Sequence, residues 1–390
     1  MRASTRSRVW LSAWAVAVVA LLGRSTPAGP LLGIGSRGWE KSAMPAVRGV
    51  TLGPIESSLH PGKGYGSEVC ARALAEAREL GANWVSLTPF GRVWDTSSTG
   101  VSLSFEQPYR ENRRAVARAV AQAHAAGLRV MLVPHLWVES GGWRGEMDPG
   151  GDEDWAAWVE SYGAFLRAWA ELARDSGVQM LVAGVELRSW VTTARAPSFV
   201  ALLREIRRIY PGLVTYAANW DDVVDTVILG ELDVIGVNAF YPLAHRPGAT
   251  VDDLLAGSRK VAQGLRELSH AWGKPVLFTE FGYTTRRDPA LRPWEWPENL
   301  SDVVVDEKAQ ADAYRALVQP LLDEPWFAGL FLWRLYADPD DVSQEPEWGF
   351  SPRGKLAEGV LREAFAAHFA ADGPRPLGAS LHRHSALRHQ

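Results

Sequence analysis

Eight apolar runs of strand length alternate with helical patterns along this chain, which leaves very few folds open to it. The runs occupy residues 47–53, 83–89, 128–135, 179–186, 213–219, 233–240, 275–281 and 328–334. They are continuously apolar, as in strands that are buried on both faces. The segments between them, such as residues 111–127, carry apolar residues at spacings of three and four and end at a glycine. This alternation predicts a parallel sheet covered by helices.

Eight strand–helix units match a closed barrel better than an open, doubly wound sheet. The open sheet would need a glycine-rich phosphate turn after its first strand. Residues 53–66 read GPIESSLHPGKGYG and contain neither GxGxxG nor GxxxxGK[ST], so a structural loop is the better interpretation. We therefore predict an α/β protein with one (β/α)8 TIM barrel over residues 45–370.

The two ends of the chain differ in composition from the middle. Residues 1–30 combine an arginine-rich start with an apolar core at residues 9–22, which indicates an export signal or, if it is not cleaved, an N-terminal membrane anchor. We expect a secreted, periplasmic or cell-surface protein that contacts a membrane only through such an anchor. Residues 371–390 are polar and rich in Pro, Gly and His, which predicts a disordered tail.

Charge and cysteine content argue against several classes of function. The net charge is −4 and the pI is about 6.2, so no basic surface for nucleic acid is expected. Cys70 is the only cysteine, which excludes an intramolecular disulfide and a cysteine-based zinc site; its helical context predicts a buried thiol. A metal-dependent barrel hydrolase would need His-x-His on the first strand, where the sequence is RGVTLGP. We predict neither a metal nor another cofactor.

Two of the apolar runs end in a glutamate. Glu186 closes the fourth run, and Glu280 lies near the end of the seventh, in PVLFTEFGYTT. Active sites of such barrels lie at the carboxyl ends of the strands, where a carboxylate can meet solvent and polar partners. Two carboxylates about 5 Å apart are what retaining glycoside hydrolysis requires. The alternative is that each glutamate forms a structural ion pair with Arg188 or Arg92.

Aromatic and amide side chains are concentrated at the same strand ends. The chain has 18 tryptophans, and about half of them follow strands or lie in the next loops. Exposed indoles there can stack on the apolar faces of sugar rings, while amides and arginines bind hydroxyls. For any single tryptophan, packing is an equal alternative. The predicted sugar-binding residues are Arg92, His135, Trp143, Arg144, Asn219, Trp220, Asn238, Tyr241, Tyr283 and Trp333.

Five motifs in order resemble glycoside hydrolase family 113 of clan A, which is known for β-1,4-mannanases. They are GANWVSLTPFGR, GLRVMLVPHLWVESGGWRGEM, MLVAGVELRSW, PVLFTEFGYTT and FLWRLYADPDD, and the resemblance covers about residues 47–370. It implies that Glu186 is the general acid/base and that Glu280 is the nucleophile. One departure from the wider clan is Val185, where an asparagine commonly precedes the acid/base.

The resulting hypothesis is an exported retaining glycosidase that acts on an oligo- or polysaccharide, with β-1,4-mannan first. A catalytically silent, carbohydrate-binding barrel at the cell surface is the alternative. The mechanism requires an ionised Glu280, with Tyr283, Asn238 and Arg92 as candidate partners. It also requires a proton on Glu186, whose pKa the nearby charge of Glu280 is expected to raise.

Overall fold

A computed structural model describes residues 46–53, 62–105, 107–295, 297, 302–340 and 345–367. Eight parallel strands close a barrel in the order β1-β8-β7-β6-β5-β4-β3-β2, so the predicted (β/α)8 fold is confirmed. The strands are β1 Val47–Gly53, β2 Trp84–Leu87, β3 Arg129–Leu132, β4 Met180–Val185, β5 Leu213–Asn219, β6 Ile235–Asn238, β7 Val276–Phe281 and β8 Phe327–Tyr336. The predicted signal or anchor and the C-terminal tail lie outside the described residues.

Helices surround the barrel, with one departure from the predicted alternation. They are α1 Glu68–Glu79, α2 Tyr109–Ala125, α3 Asp152–Asp175, α4 Arg188–Val191, α5 Ala196–Ile209, α6 Val251–Trp272, α7 Glu307–Val318 and α8 Leu356–Ala367. Between β5 and β6, where every residue is described, the chain forms two 3-10 turns instead of an α-helix. Val223, Ile228 and Leu229 are buried there and cover the sheet in place of a helix. None of the helices in the described ranges is long and apolar enough to cross a membrane.

The barrel interior is a packed core below its mouth. Trp84 and Phe331 meet edge to face inside it, with ring centroids 6.2 Å apart. Gly49 makes room for them, since a Cβ there would lie 2.3 Å from the Phe331 ring. Apolar side chains fill this end of the barrel, whereas the polar side chains of the predicted site lie at the mouth. Cys70 is buried in α1, which confirms the predicted thiol.

A short second sheet extends β2 and β3 beyond the barrel. Phe90–Val93 and His135–Val138 pair in parallel, with Arg92 opposite Trp137. We call these two segments the β2–β3 extension. One of its faces packs against α3, where a Cβ at Gly91 would lie 2.6 Å from the Phe165 ring. The extension therefore stands as a wall beside the mouth of the barrel.

Candidate active site

Strand register brings both glutamates to the same end of the barrel. Asn238 lies opposite Asn219 on one side and opposite Glu280 on the other. Glu186 follows β4, and its backbone N–H donates to the carbonyl of Ala217 at 2.8 Å. Glu186 adopts φ 52°, an uncommon backbone conformation for a residue with a side chain. The two carboxylates are 8% and 7% exposed, so both are nearly desolvated at the mouth.

The side-chain amide of Asn238 lies beside the two glutamates. Its Nδ2 donates to Glu186 Oε1 at 2.9 Å, and the same amide lowers the pKa of Glu280. Thr279 donates its hydroxyl to Asn238 Oδ1 at 2.9 Å. Since an ionised carboxylate only accepts hydrogen bonds, this arrangement fixes which end of the amide faces the pair.

The other oxygen of Glu186 is held by the loop that follows the β2–β3 extension. Arg144 Nη1 donates to Glu186 Oε2 at 2.6 Å, and Trp143 Nε1 donates to the same oxygen at 3.0 Å. Arg188 does not form the ion pair that the alternative interpretation suggested. Its guanidinium lies 4.6 Å over the Trp143 ring and binds Asp222 at 2.9 Å. Glu186 thus accepts hydrogen bonds from three donors on two segments, the loop with Trp143 and Arg144 and the end of β6 with Asn238.

The environment of Glu280 favours its protonated form. Burial and the neighbouring charge of Glu186 raise the pKa of Glu280 to about 8. The charges of Arg144 and Arg334 and the amide of Asn238 oppose this shift without cancelling it. The physical reason is the unequal distribution of donors, since Glu186 accepts from Arg144 and Trp143 as well as from Asn238. The predicted charge distribution, with an ionised Glu280 and a proton on Glu186, stays a prediction.

We expect Glu280→Gln to stabilise the fold at neutral and alkaline pH. Because the pKa of Glu280 rises from about 4.5 to about 8 on folding, wild-type stability should fall as pH rises through that window. Glutamine has no proton to lose, so the variant should gain up to about 3 kcal/mol over wild type at pH 7. Urea unfolding between pH 4 and 9 measures this. The exposed Glu160→Gln, which loses only an ion pair with Arg167, is the control. An equal difference at every pH would contradict the buried, protonated state.

His135 also lies at the mouth and is neutral. Burial and the positive charge of Arg144 hold the pKa of His135 well below its usual value. Its Nδ1 lies 3.1 Å from the carbonyl oxygen of Leu136, which can only accept, so Nδ1 carries the hydrogen and Nε2 is left as an acceptor. Arg334 acts electrostatically on both His135 and Glu280. The histidine therefore offers a hydrogen-bond acceptor beside the carboxylate pair.

The remaining aromatic residues predicted for the site lie along the β5, β6 and β8 ends. Trp333 is half-buried near the end of β8, with Arg334 stacked on its ring at 4.8 Å. Trp220 is half-buried and meets Tyr241 edge to face at 5.7 Å. Its other contact is a stack with Trp294, with centroids 5.1 Å apart. These rings can form apolar walls around a sugar.

Three predicted site residues contact other parts of the protein, and one of them lies in the core. Tyr283 is fully buried, and its hydroxyl donates to the carbonyl of Tyr241 at 2.8 Å, so it belongs to the core and is not a partner of Glu280. Arg92 lies on the β2–β3 extension and pairs with Glu139 at 3.0 Å. Asn219 donates its amide to Asp221 at 2.8 Å.

Two residues of the site had no role in the sequence-based prediction. Thr279 orients the amide of Asn238, and the charge of Arg334 lowers the pKa of Glu280. A hydroxyl inside an otherwise apolar run, one residue before Glu280, was the available signal for Thr279. Within the described residues, no group of three or more His, Cys, Asp or Glu side chains could hold a metal ion.

Comparison with known proteins agrees with this geometry. The model of Glycoside Hydrolase Family 113 matches residues 59–351, well over half of the chain. A GH113 beta-mannanase, AaManA from Alicyclobacillus acidocaldarius, solved in complex with ManMIm, is 27% identical at a TM-score of 0.72, over 83% of this chain and 98% of that one. A GH113 beta-1,4-mannanase complex is 22% identical at a TM-score of 0.72, over 83% and 100% of the two chains.

A more distant barrel has the same fold. The family 5 mannosidase from Rhizomucor miehei is 12% identical at a TM-score of 0.57, over 83% of this chain and 93% of that one. No curated protein matches the chain in sequence. The family match covers both Glu186 and Glu280 and the loop that holds Arg144. This chain is a glycoside hydrolase and belongs to glycoside hydrolase family 113.

Proposed function

We propose that this glycoside hydrolase cleaves β-1,4-mannan-type chains with net retention, with Glu280 as nucleophile and Glu186 as acid/base. Two buried glutamates at one end of the barrel carry the proposal, because they interact closely enough for the charge of Glu186 to raise the pKa of Glu280. Retaining enzymes keep their carboxyl groups about 5–5.5 Å apart, whereas inverting enzymes need about 6.5–9.5 Å to admit a water molecule.

The first chemical step transfers the sugar to Glu280. The carboxylate attacks the anomeric carbon while the glycosidic C–O bond breaks, and Glu186 donates its proton to the leaving oxygen. Glu280 must be ionised to attack, against the burial and the charge of Glu186 that raise its pKa. The positive charges of Arg144 and Arg334 lower the pKa of Glu280 and so favour its ionised form.

The second step hydrolyses the glycosyl ester. Glu186 takes a proton from water, the oxygen of that water attacks the anomeric carbon, and the bond to Glu280 breaks. Esterification removes the negative charge of Glu280 from the pair. The donors Arg144, Trp143 and Asn238 suit Glu186 in the step in which it must be an ionised base.

Mannan is the substrate class that the residues and relatives support best. The family 113 relative that is 27% identical is described as a β-mannanase. Val185 precedes Glu186 and packs with Val182 and Ala217 inside the barrel, so this position offers no hydrogen bond to a sugar 2-hydroxyl. The wider clan commonly has an asparagine there. The axial 2-hydroxyl of mannose is compatible with a different partner.

We expect the purified protein to release reducing ends faster from β-mannan than from glucomannan, xylan or β-glucan, when initial rates on the four substrates are compared. NMR of the first product should show the β-anomer, because two displacements restore the starting configuration. An initial α-anomer would indicate inversion. Binding of mannan without any release of reducing ends would instead favour a silent carbohydrate-binding barrel.

We also propose that the reaction takes place outside the cytoplasm. The arginine-rich start and apolar core of residues 1–30 support export, and the substrate is a polymer. N-terminal sequencing of the exported protein should begin near residue 28. A cytosolic protein that begins at Met1 would contradict this.

A further inference from the structure

The β2–β3 extension has one open face that is rich in aromatic rings. Side chains alternate along its strands, so that Gly91, Val93, Leu136 and Val138 are buried on one side. The opposite side carries Phe90, Arg92 and Trp94 from one segment and His135, Trp137 and Glu139 from the other. We call these six residues, with Phe105 from the following loop, the aromatic face.

The rings of the aromatic face are in contact from the active site outwards. Phe90 lies 4.9 Å from the His135 ring and 6.2 Å from the Trp137 ring. Phe105 lies 5.3 Å from Phe90 and 5.8 Å from Trp137. His135 is buried and feels the charge of Arg144, which binds Glu186, whereas Trp137 is 49% exposed and Trp94 is 70% exposed. The face therefore runs continuously from the mouth of the barrel into solvent.

The partly exposed indole rings of Trp137 and Trp94 present apolar surface to water. Single exposed aromatic residues are ordinary on protein surfaces, but connected apolar patches mark binding sites. Arg92 adds polar groups to the face, with its guanidinium 5.0 Å from the Phe105 ring and in an ion pair with Glu139 at 3.0 Å. This pair has no net charge. Aromatic rings with neutralised charges suit an uncharged polyhydroxylated chain better than an acidic one.

We infer that the aromatic face binds sugar units of the same glycan that lie away from the bond being cleaved. The inference rests on the proposed function, and it is the continuity of the face with the catalytic mouth, through His135, that identifies the occupant. Sugar rings stack on Trp137 and Trp94, while Arg92 and Glu139 bind hydroxyls. Long chains then bind more tightly than short ones.

The test measures binding separately from hydrolysis. In the Glu280→Gln background, which prevents cleavage, calorimetry gives Kd for mannohexaose and for mannobiose, with Trp137 intact or replaced by alanine. We expect Trp137→Ala to weaken mannohexaose binding by about tenfold, as loss of one aromatic stack implies, and to change mannobiose binding by less than about twofold. Trp94→Ala should act in the same direction with a smaller effect, since it lies farther out.

Trp272→Ala is the matched control. This indole is 38% exposed at the end of α6, just before β7 begins, and so lies at the opposite end of the barrel from the mouth. It should leave both Kd values unchanged. Equal weakening of hexaose and biose by Trp137→Ala, no weakening, or no mannohexaose binding at all would overturn the inference. Release of reducing ends by the wild type is scored independently: its absence would refute the proposed function, whereas a Trp137-dependent Kd would still support the glycan surface.

Discussion

Replacing Glu280 with alanine is expected to lower kcat/KM on β-mannan by about 10⁴-fold or more. The nucleophile forms the covalent bond to the anomeric carbon, and none of its neighbours can take its place. Arg144 acts on it only through its charge, and Glu186 accepts three hydrogen bonds of its own. Initial rates of reducing-end release measure the loss. Glu160→Ala on the surface of α3 is the control and should keep wild-type rates.

Azide provides a second measurement on the same variant. In Glu280→Ala the anion can enter from the side of the missing carboxylate and displace the leaving group once. The product should then be the α-glycosyl azide, with inverted configuration. Wild-type turnover by Glu280→Ala on a glycan that the parent cleaves would show that the proposed mechanism is wrong.

Replacing Glu186 with alanine should have an effect that depends on the leaving group. On mannan, whose leaving oxygen needs a proton, kcat/KM should fall by about 10²–10⁴-fold. On a dinitrophenyl β-mannoside, whose leaving group needs no proton, formation of the glycosyl-enzyme should persist and its hydrolysis should become limiting. Azide should then accelerate turnover and give the β-glycosyl azide, with retained configuration.

Glu186→Gln is a useful companion, because its amide keeps the size of the side chain but can neither donate nor accept the catalytic proton. It should match the alanine variant in its leaving-group dependence. If azide changes only the Glu280 variant and leaves Glu186→Ala unaffected, the nucleophile assignment stands and the acid/base assignment does not. An equal loss on both substrates would likewise contradict a role in protonating the leaving oxygen.

Local pattern alone was enough to predict the barrel. Strand and helix periods are properties of short segments, so all eight runs could be identified without tertiary information. The strand ends then followed, because parallel strands in a barrel place their carboxyl ends at one mouth. Glu186 and Glu280 could be assigned to that mouth for this reason. The connection between β5 and β6 was the exception, since buried apolar side chains in two 3-10 turns replace a helix there.

Which polar groups meet the glutamates was decided only by the tertiary structure. Tyr283 and Arg92 also follow strand ends, but backbone direction turns one into the core and the other onto the extension. Asn238 binds Glu186 and lies opposite Glu280 because of the register of β6 and β7. The pKa of Glu280 likewise depends on burial and on charges from other segments, first that of Glu186 and then that of Arg144. Sequence determined which strand ends carry the carboxylates, whereas their charge states follow from distances between segments far apart in the chain.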